Sequence, residues 1–561
     1  MSYGCGLQVC ALRGLVRTHR MQCALLAWAC SALLAACSGE IGDPQAAANG
    51  GGGGKRPGGG GSSTTTTAPD LRIAQRIWRL SPEQFNGEIT RMFGANAPKV
   101  AIPQTAAEDS ITNMAANAVV DLGNASVFAD GARTIASWVV SQKNTSTRCA
   151  SYGNDACVDS FLKWFPEAAY RRPLSSAEST ELRNLFNSVR GSYDYDYAFG
   201  GVVRAVLLSP DFLYRSELGG KKPTLMAPNE IANLLAFAIT DQSPDAELRK
   251  AADTGDLTDP AQREAQARRL IANSGPIWQR FFWEWLEMST LNSQGQEVGL
   301  DPALVTQMEE EYRKFVTDVA VTQHGTLRDL FSAPYTWAQP QLAKFYGATH
   351  PGGGLAKVQL DPKQRGGILT QGAWLVSHGK KGRDNVVRRG MNIYRQAMCN
   401  NNLRPPVGVD VQAELKKLVG PNASVREVVD ARGNAAACGG CHRLADPVGM
   451  VFESFGSDGK WQTSYPDGKV VDTKIDLQDS GMFDTAHAYA TALVDDHAFQ
   501  HCFVQRFVQF LLGFDLGGTD MVALTQQAHE QFVNKGTSLE ELLVSIVRHP
   551  AFIERRMEKS P

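Results

Sequence analysis

Residues 436–456 read AACGGCHRLADPVGMVFESFG, and within them Cys438, Cys441 and His442 form a Cys-x-x-Cys-His motif. Covalent c-type haem needs two thiols to make thioethers with the haem vinyl groups and an adjacent imidazole to ligate the iron, and this spacing supplies both. Two other chemistries share the pattern. A Cys-x-x-Cys pair closes on itself as a disulfide or works as a redox dithiol, and zinc would need two further ligands that no second Cys-x-x-Cys provides. The reading carried forward is haem c, with Cys438 and Cys441 as attachment points and His442 as the proximal iron ligand. For the distal face, Met482 lies 40 residues beyond His442, a separation common for the methionine of small cytochromes c. Met450 is much closer to the motif, and His378 would make the iron bis-histidine. Asp446, next to Pro447, is a candidate to orient the His442 ring through its second N–H, and equally a turn-forming residue.

Haem attachment of this type takes place outside the cytoplasm, so the N-terminus matters. Arg13, Arg17 and Arg20 precede the apolar stretch MQCALLAWACSALLAAC, which is too short to span a bilayer comfortably and ends in small residues. Leu34-Ala35-Ala36-Cys37 resembles a lipobox, so residues 1–37 are expected to be a lipoprotein signal with Cys37 lipidated; an ordinary signal peptide cut near Ala36 is the simpler alternative. Residues 38–70 include NGGGGGKRPGGGGSSTTTTAPD, which cannot build a core and reads as a flexible tether. Together these place the chain on the periplasmic or outer side of an envelope membrane, held through the lipid alone.

Six cysteines remain after the signal and Cys37. In an oxidising compartment an even number invites pairing. Cys149 and Cys157 bracket a Gly/Asn/Asp turn and look like a local disulfide, whereas Cys399 and Cys502 could pair only through tertiary contact. The net charge of −2, with no basic stripe longer than pairs such as Arg388-Arg389, excludes a nucleic-acid partner.

The elements that must position the motif are mostly helices. Ser81-Pro82 with Gln84 and Ser175 with Glu178 read as capping boxes, as do Asp259-Pro260 with Gln262 and Thr537 with Glu540. After Asp301-Pro302, Met308, Tyr312, Phe315, Val316 and Val319 share one helical face and are expected in a core. Strand signals are sparse: the best is KWQTSYPDGKVVDTKIDL, with Pro466-Asp467-Gly468 as the turn of a small β-hairpin directly after the motif. The expected fold is therefore mainly α. The expected helical segments are 71–145, 146–218, 219–350, the motif-bearing 351–480, and 481–561.

Other residues have ordinary explanations beside functional ones. Phe281, Phe282, Trp283 and Trp285 suit a core better than a sugar-stacking platform. Arg171 and Arg172 could bind an anionic group or a haem propionate, but such pairs usually satisfy helix C-termini or carboxylates. No Ser-His-Asp order, phosphate loop or paired-carboxylate motif stands out.

From about residue 76 to 556 the chain resembles the planctomycete-type family of secreted proteins tiled by tandem domains of unknown function, found also in myxobacteria-like genomes. The ordered motifs that carry the resemblance are RLSPEQFNGEITRMFG, FPEAAYRRPLSSAE, VVRAVLLSPDFLYRSE, YTWAQPQLAKFYG, RGGILTQGAWLVSH, CGGCHRLADPVGMVFESFGSDGKWQ and FVQFLLGFDL with LLVSIVRHPAFIERR. Two departures stand out. Met450 replaces the usual apolar residue, and KKGRDNVVRRG replaces a Ser/Thr-Pro element beside His378. The resemblance implies a mostly helical, exported, cytochrome-like protein and hints at polysaccharide or polymer as a partner, without a substrate. The reading is thus an envelope-anchored c-type haem protein that passes electrons to a redox partner, or, as its enzymatic form, a haem-dependent oxidoreductase. The alternative is a non-haem surface binding or scaffold protein with Cys438-Cys441 as a structural disulfide.

Overall fold

Polar caps start the helices of this protein where the sequence places them. In the computed structural model Ser81 accepts from the Gln84 N–H while the Gln84 side chain accepts from the Ser81 N–H, opening the Pro82–Phe93 helix. Ser175 and Glu178 do the same for Ser176–Arg190. Asp259 caps Pro260–Leu270 through the Ala261 N–H without a reciprocal Gln262 contact. The last expected cap shifts by one residue: Thr537 is left-handed, and Ser538 caps Leu539–Arg548.

The structure describes residues 73–107, 110–219, 225–381, 385–400, 419–436, 438–477, 481–513 and 522–556, with Ala413 and Lys417. The expected signal, Cys37 and the tether at 38–70 lie outside the described residues. Among the described residues, no helix is long and apolar enough to cross a membrane.

The architecture is mainly α, with strands confined to small two-stranded pairs. Segments 71–145 and 146–218 share one apolar core. It includes Phe85, Ile89, Phe161, Phe165, Phe199 and Phe212. A second, larger core draws on residues from Ile73 to Ile553; in it Met308, Tyr312, Phe315, Val316 and Val319 are fully buried along one face of the Pro302 helix and its continuation. Phe281, Phe282 and Trp285 are fully buried there as well and stack on Phe503 and Phe507 of the His497–Leu512 helix, which makes them core.

One buried carboxylate joins distant parts of the chain. Ile73–Ala74 pairs in parallel with Arg555–Arg556, and Arg76–Arg79 pairs antiparallel with Tyr214–Glu217. Glu217 receives Arg76 at 2.9 Å and Arg555 at 2.6 Å. Burial alone would raise its pKa, but the two guanidiniums outweigh it and hold the carboxyl down to about 2.

The expected hairpin differs from the observed one. Around Pro466-Asp467-Gly468, with Gly468 at φ +83°, the chain turns but forms a single bridge, Ser464 with Val470. The paired strands are Ile475–Leu477 and Gly481–Phe483. Asp467 accepts from the Lys469 N–H within the turn, and outside it the N–H groups of Tyr465 and Val471 donate to the carbonyls of Lys469 and Thr463 at 2.8 and 3.0 Å.

Candidate functional site

Cys438 sits at the N-cap of the Gly439–Met450 helix, and its carbonyl accepts from the N–H groups of Cys441 and His442 at 3.3 and 3.1 Å. The motif therefore occupies the first turn of one helix, and its two thiols and imidazole rise together from that turn. Cys438 is buried, Cys441 and His442 are half-buried, and neither cysteine takes part in a disulfide. Among the described residues the disulfides are Cys149–Cys157 and Cys399–Cys502. The second ties the chain just after the 393–397 segment to the His497–Leu512 helix.

Asp446 lies one helical turn beyond His442 and is fully buried. Its Oδ1 meets His442 Nδ1 at 3.0 Å, and its Oδ2 accepts from Arg432 Nε at 2.6 Å and Nη2 at 2.5 Å. A carboxylate beside Nδ1 holds the proton there, and the lone pair for a metal is then on Nε2. Arg432 arrives from the preceding Val425–Asn434 helix. The arrangement is an Arg–Asp–His relay across two helices.

The helix is seated by close backbone contact. Where it crosses Asn385–Asn392, a Cβ on Gly449 would lie 1.9 Å from the Val386 carbonyl oxygen, and one on Gly390 would lie 2.1 Å from that of Ala445. Arg389, buried in the same crossing, donates Nη1 to the carbonyls of Phe452 and Phe455 at 3.0 and 2.7 Å and Nη2 to Gly456 at 2.7 Å. It thus satisfies carbonyls that follow the helix end. Burial pushes its guanidinium down to about 10, while nearby Glu453 opposes that shift. Tyr394, on the other side, is pushed up by burial and by its nearness to Cys441.

The remaining sequence candidates lie apart from this relay. Met482 is in the Gly481–Phe483 strand with 76% of its surface exposed, so ligating an iron would require it to turn inward. Met450 is buried at the far end of the motif helix, about 12 Å along its axis from His442. His378 is buried, and its Nε2 lies 2.9 Å from the Leu286 carbonyl, an acceptor that only an N–H can satisfy. Arg171 and Arg172 are far along the chain in the other core and bond to the Asp211–Tyr214 turn and to Glu178.

His378 carries a pH prediction. Burial pushes its imidazole down to about 4. The unfolded chain gains this proton near pH 6.5 and the folded one only near 4, so the loss of stability grows as pH falls through that window. The loss amounts to about 3 kcal/mol. Glu311, fully buried and pushed up to about 7 by burial, works oppositely: its contribution falls as pH rises from its ordinary range toward 7. Denaturant unfolding of wild type and His378→Gln at pH 7 and pH 4.5 separates the two, because only the histidine contribution disappears in the variant. An equal difference at both pH values would contradict it.

A reading centred on cysteine misses a second histidine group. His497 and His501 are four apart on one helix, and both rings meet His529 edge-on, with centroids 4.8 and 5.4 Å away. The spacing itself was the signal. Among the described residues, no group of three His, Cys, Asp or Glu side chains is set to hold a metal ion.

The donor set at the motif fits c-type haem: two thiols outside any disulfide, and an imidazole whose Nδ1 is held by a buried carboxylate. Three family profiles match the chain. They are Protein of unknown function (DUF1595) over residues 157–217, Protein of unknown function (DUF1592) over 226–348, and Protein of unknown function (DUF1588) over 365–465. The last includes the whole Arg–Asp–His relay. No curated protein and no solved structure matches the chain.

Proposed function

We propose that this chain, which belongs to the planctomycete-type family of tandem domains of unknown function, is an exported c-type haem protein. The observation that carries the reading is the His442–Asp446–Arg432 relay directly beside two cysteines that the fold leaves out of its disulfides. A structural Cys-x-x-Cys loop needs no oriented imidazole, whereas an axial ligand does. Haem bound there would supply one-electron redox chemistry.

The chain's own residues have distinct tasks. Cys438 and Cys441 would attach the macrocycle by thioethers, and His442 would present Nε2 as proximal ligand. Asp446 accepts a hydrogen bond from the Nδ1–H and so fixes the ring's rotation. Arg432 pairs its charge with that buried carboxylate and holds it in place. Residues 1–37 would export the chain and Cys37 would anchor it, so that the tether lets the folded body reach a redox partner at the envelope. Polysaccharide or polymer is the substrate class for the enzymatic form, which peroxide or oxygen turnover would reveal.

The site is tested by replacing the ligand while keeping the thiols. In His442→Ala, produced with a cytochrome c maturation system, covalent haem is retained in whatever protein matures, but its reduced spectrum and midpoint potential change. Imidazole added to that variant restores the wild-type spectrum. A spectrum and potential identical to wild type would show that His442 does not ligate the iron.

A further inference from the structure

We propose that a cleft around Arg171, remote in sequence from the Cys-x-x-Cys-His motif, binds a small molecule carrying carboxylate, sulfate or phosphate groups. The cleft has a volume of about 540 Å³ and opens between the Asp155–Tyr170 helix and the helices Pro228–Thr240 and Ala246–Asp253. That is within the range of sites that enclose small organic ligands. Arg91, Arg148, Lys163, Arg171, Arg172 and Arg249 line it, against only two carboxylates, Glu167 and Asp253.

Two of these cations are already engaged: Arg91 with Glu88, and Arg172 with Glu178 and Asp211. Among the described residues, Arg148, Lys163, Arg171 and Arg249 form no salt bridge, so the cleft carries uncompensated positive charge. Such a concave surface concentrates anions.

Arg171 is the second, independent observation. It is 2% exposed, and its Nη2 donates to the carbonyls of Asp211, Phe212 and Tyr214 at 2.7, 3.0 and 2.7 Å. Its Nη1 is buried with no hydrogen-bond partner. A guanidinium nitrogen left so is costly, and Arg171 is one of the residues that line the cleft. Burial pushes Arg171 down to about 10, with Glu88 and Asp211 opposing the shift. A smaller adjoining cleft of about 180 Å³ shares Arg171 and Arg172 and adds Arg215, whose Nε and Nη2 are also unpartnered.

The test is calorimetric titration of the full chain with sulfate, inorganic phosphate and citrate separately, with ionic strength held constant by chloride. Saturable binding of at least one is expected, weakened about tenfold or more in Lys163→Glu and in Arg249→Gln. Lys163 is exposed and Arg249 half-buried, so both variants should keep the wild-type circular dichroism and melting temperature. The ranking of the three anions identifies which oxyanion the cleft prefers. No saturable binding by any of them, or affinities unchanged in both folded variants, would overturn the proposal.

Discussion

Replacing Asp446 with asparagine should lower folding stability by about 3–5 kcal/mol, the cost of breaking a buried charge pair from one side. Asp446 is fully buried and Arg432 nearly so, and the carboxylate takes two donors from that guanidinium. Without it, Arg432 keeps its charge in a place where water cannot solvate it. Denaturant unfolding of Asp446→Asn measures the loss. The double variant Arg432→Met/Asp446→Asn then distinguishes structure from function. It removes the stranded charge and recovers most of the stability, since apolar replacement of a buried pair is often neutral. It does not restore the carboxylate beside His442 Nδ1, so a haem midpoint potential shifted in the single variant stays shifted in the double. If stability and potential returned together, Asp446 would be a packing residue only.

The second large effect comes from a single methyl group. In Gly449→Ala the new Cβ would stand 1.9 Å from the Val386 carbonyl oxygen and 2.6 Å from its carbon, both backbone atoms of the crossing helix. No side-chain rotation relieves such a clash, so the helices must separate. The cost is expected at about 3 kcal/mol, the upper end for an overpacked interior. Because the motif helix itself is displaced, haem incorporation should fall together with the unfolding midpoint. Gly440→Ala is the control: it is on the same helix, and a Cβ there meets nothing within 4 Å. Equal midpoints for the two variants would show that the crossing is not what seats the helix.

Much of this was readable from local chemistry. The capping residues Ser81, Ser175, Asp259 and Asp301 start helices where expected, because a cap is a contact within one turn. The buried stripe from Met308 to Val319 follows from helical period alone. Asp446 was readable as a partner of His442, since residues four apart on a helix share a face. Arg432 was not: it reaches Asp446 from another helix, and nothing in its neighbourhood predicts that approach. The Gly390 and Gly449 crossing was equally hidden, because a glycine needed for close backbone contact looks in sequence like any other. The turn at Pro466-Asp467-Gly468 forms where expected and carries one bridge, Ser464 with Val470, whereas the paired strands lie further on, at Ile475–Leu477 and Gly481–Phe483. The Arg171 cleft needs three helices brought together by folding, so Arg171 and Arg172 alone could suggest an anion but not a cavity.

The central claim is most directly tested by whether haem stays with the denatured chain. Full-length protein would be exported alongside a cytochrome c maturation system, purified, run on a denaturing gel stained for haem, and assayed as the pyridine haemochrome. The account predicts a stained band at the mass of the chain, a c-type haemochrome spectrum, and loss of a normal two-thioether spectrum in Cys441→Ser. A colourless, folded wild-type protein, with Cys438 and Cys441 oxidised to each other, would contradict it and make the motif a structural loop in a surface scaffold.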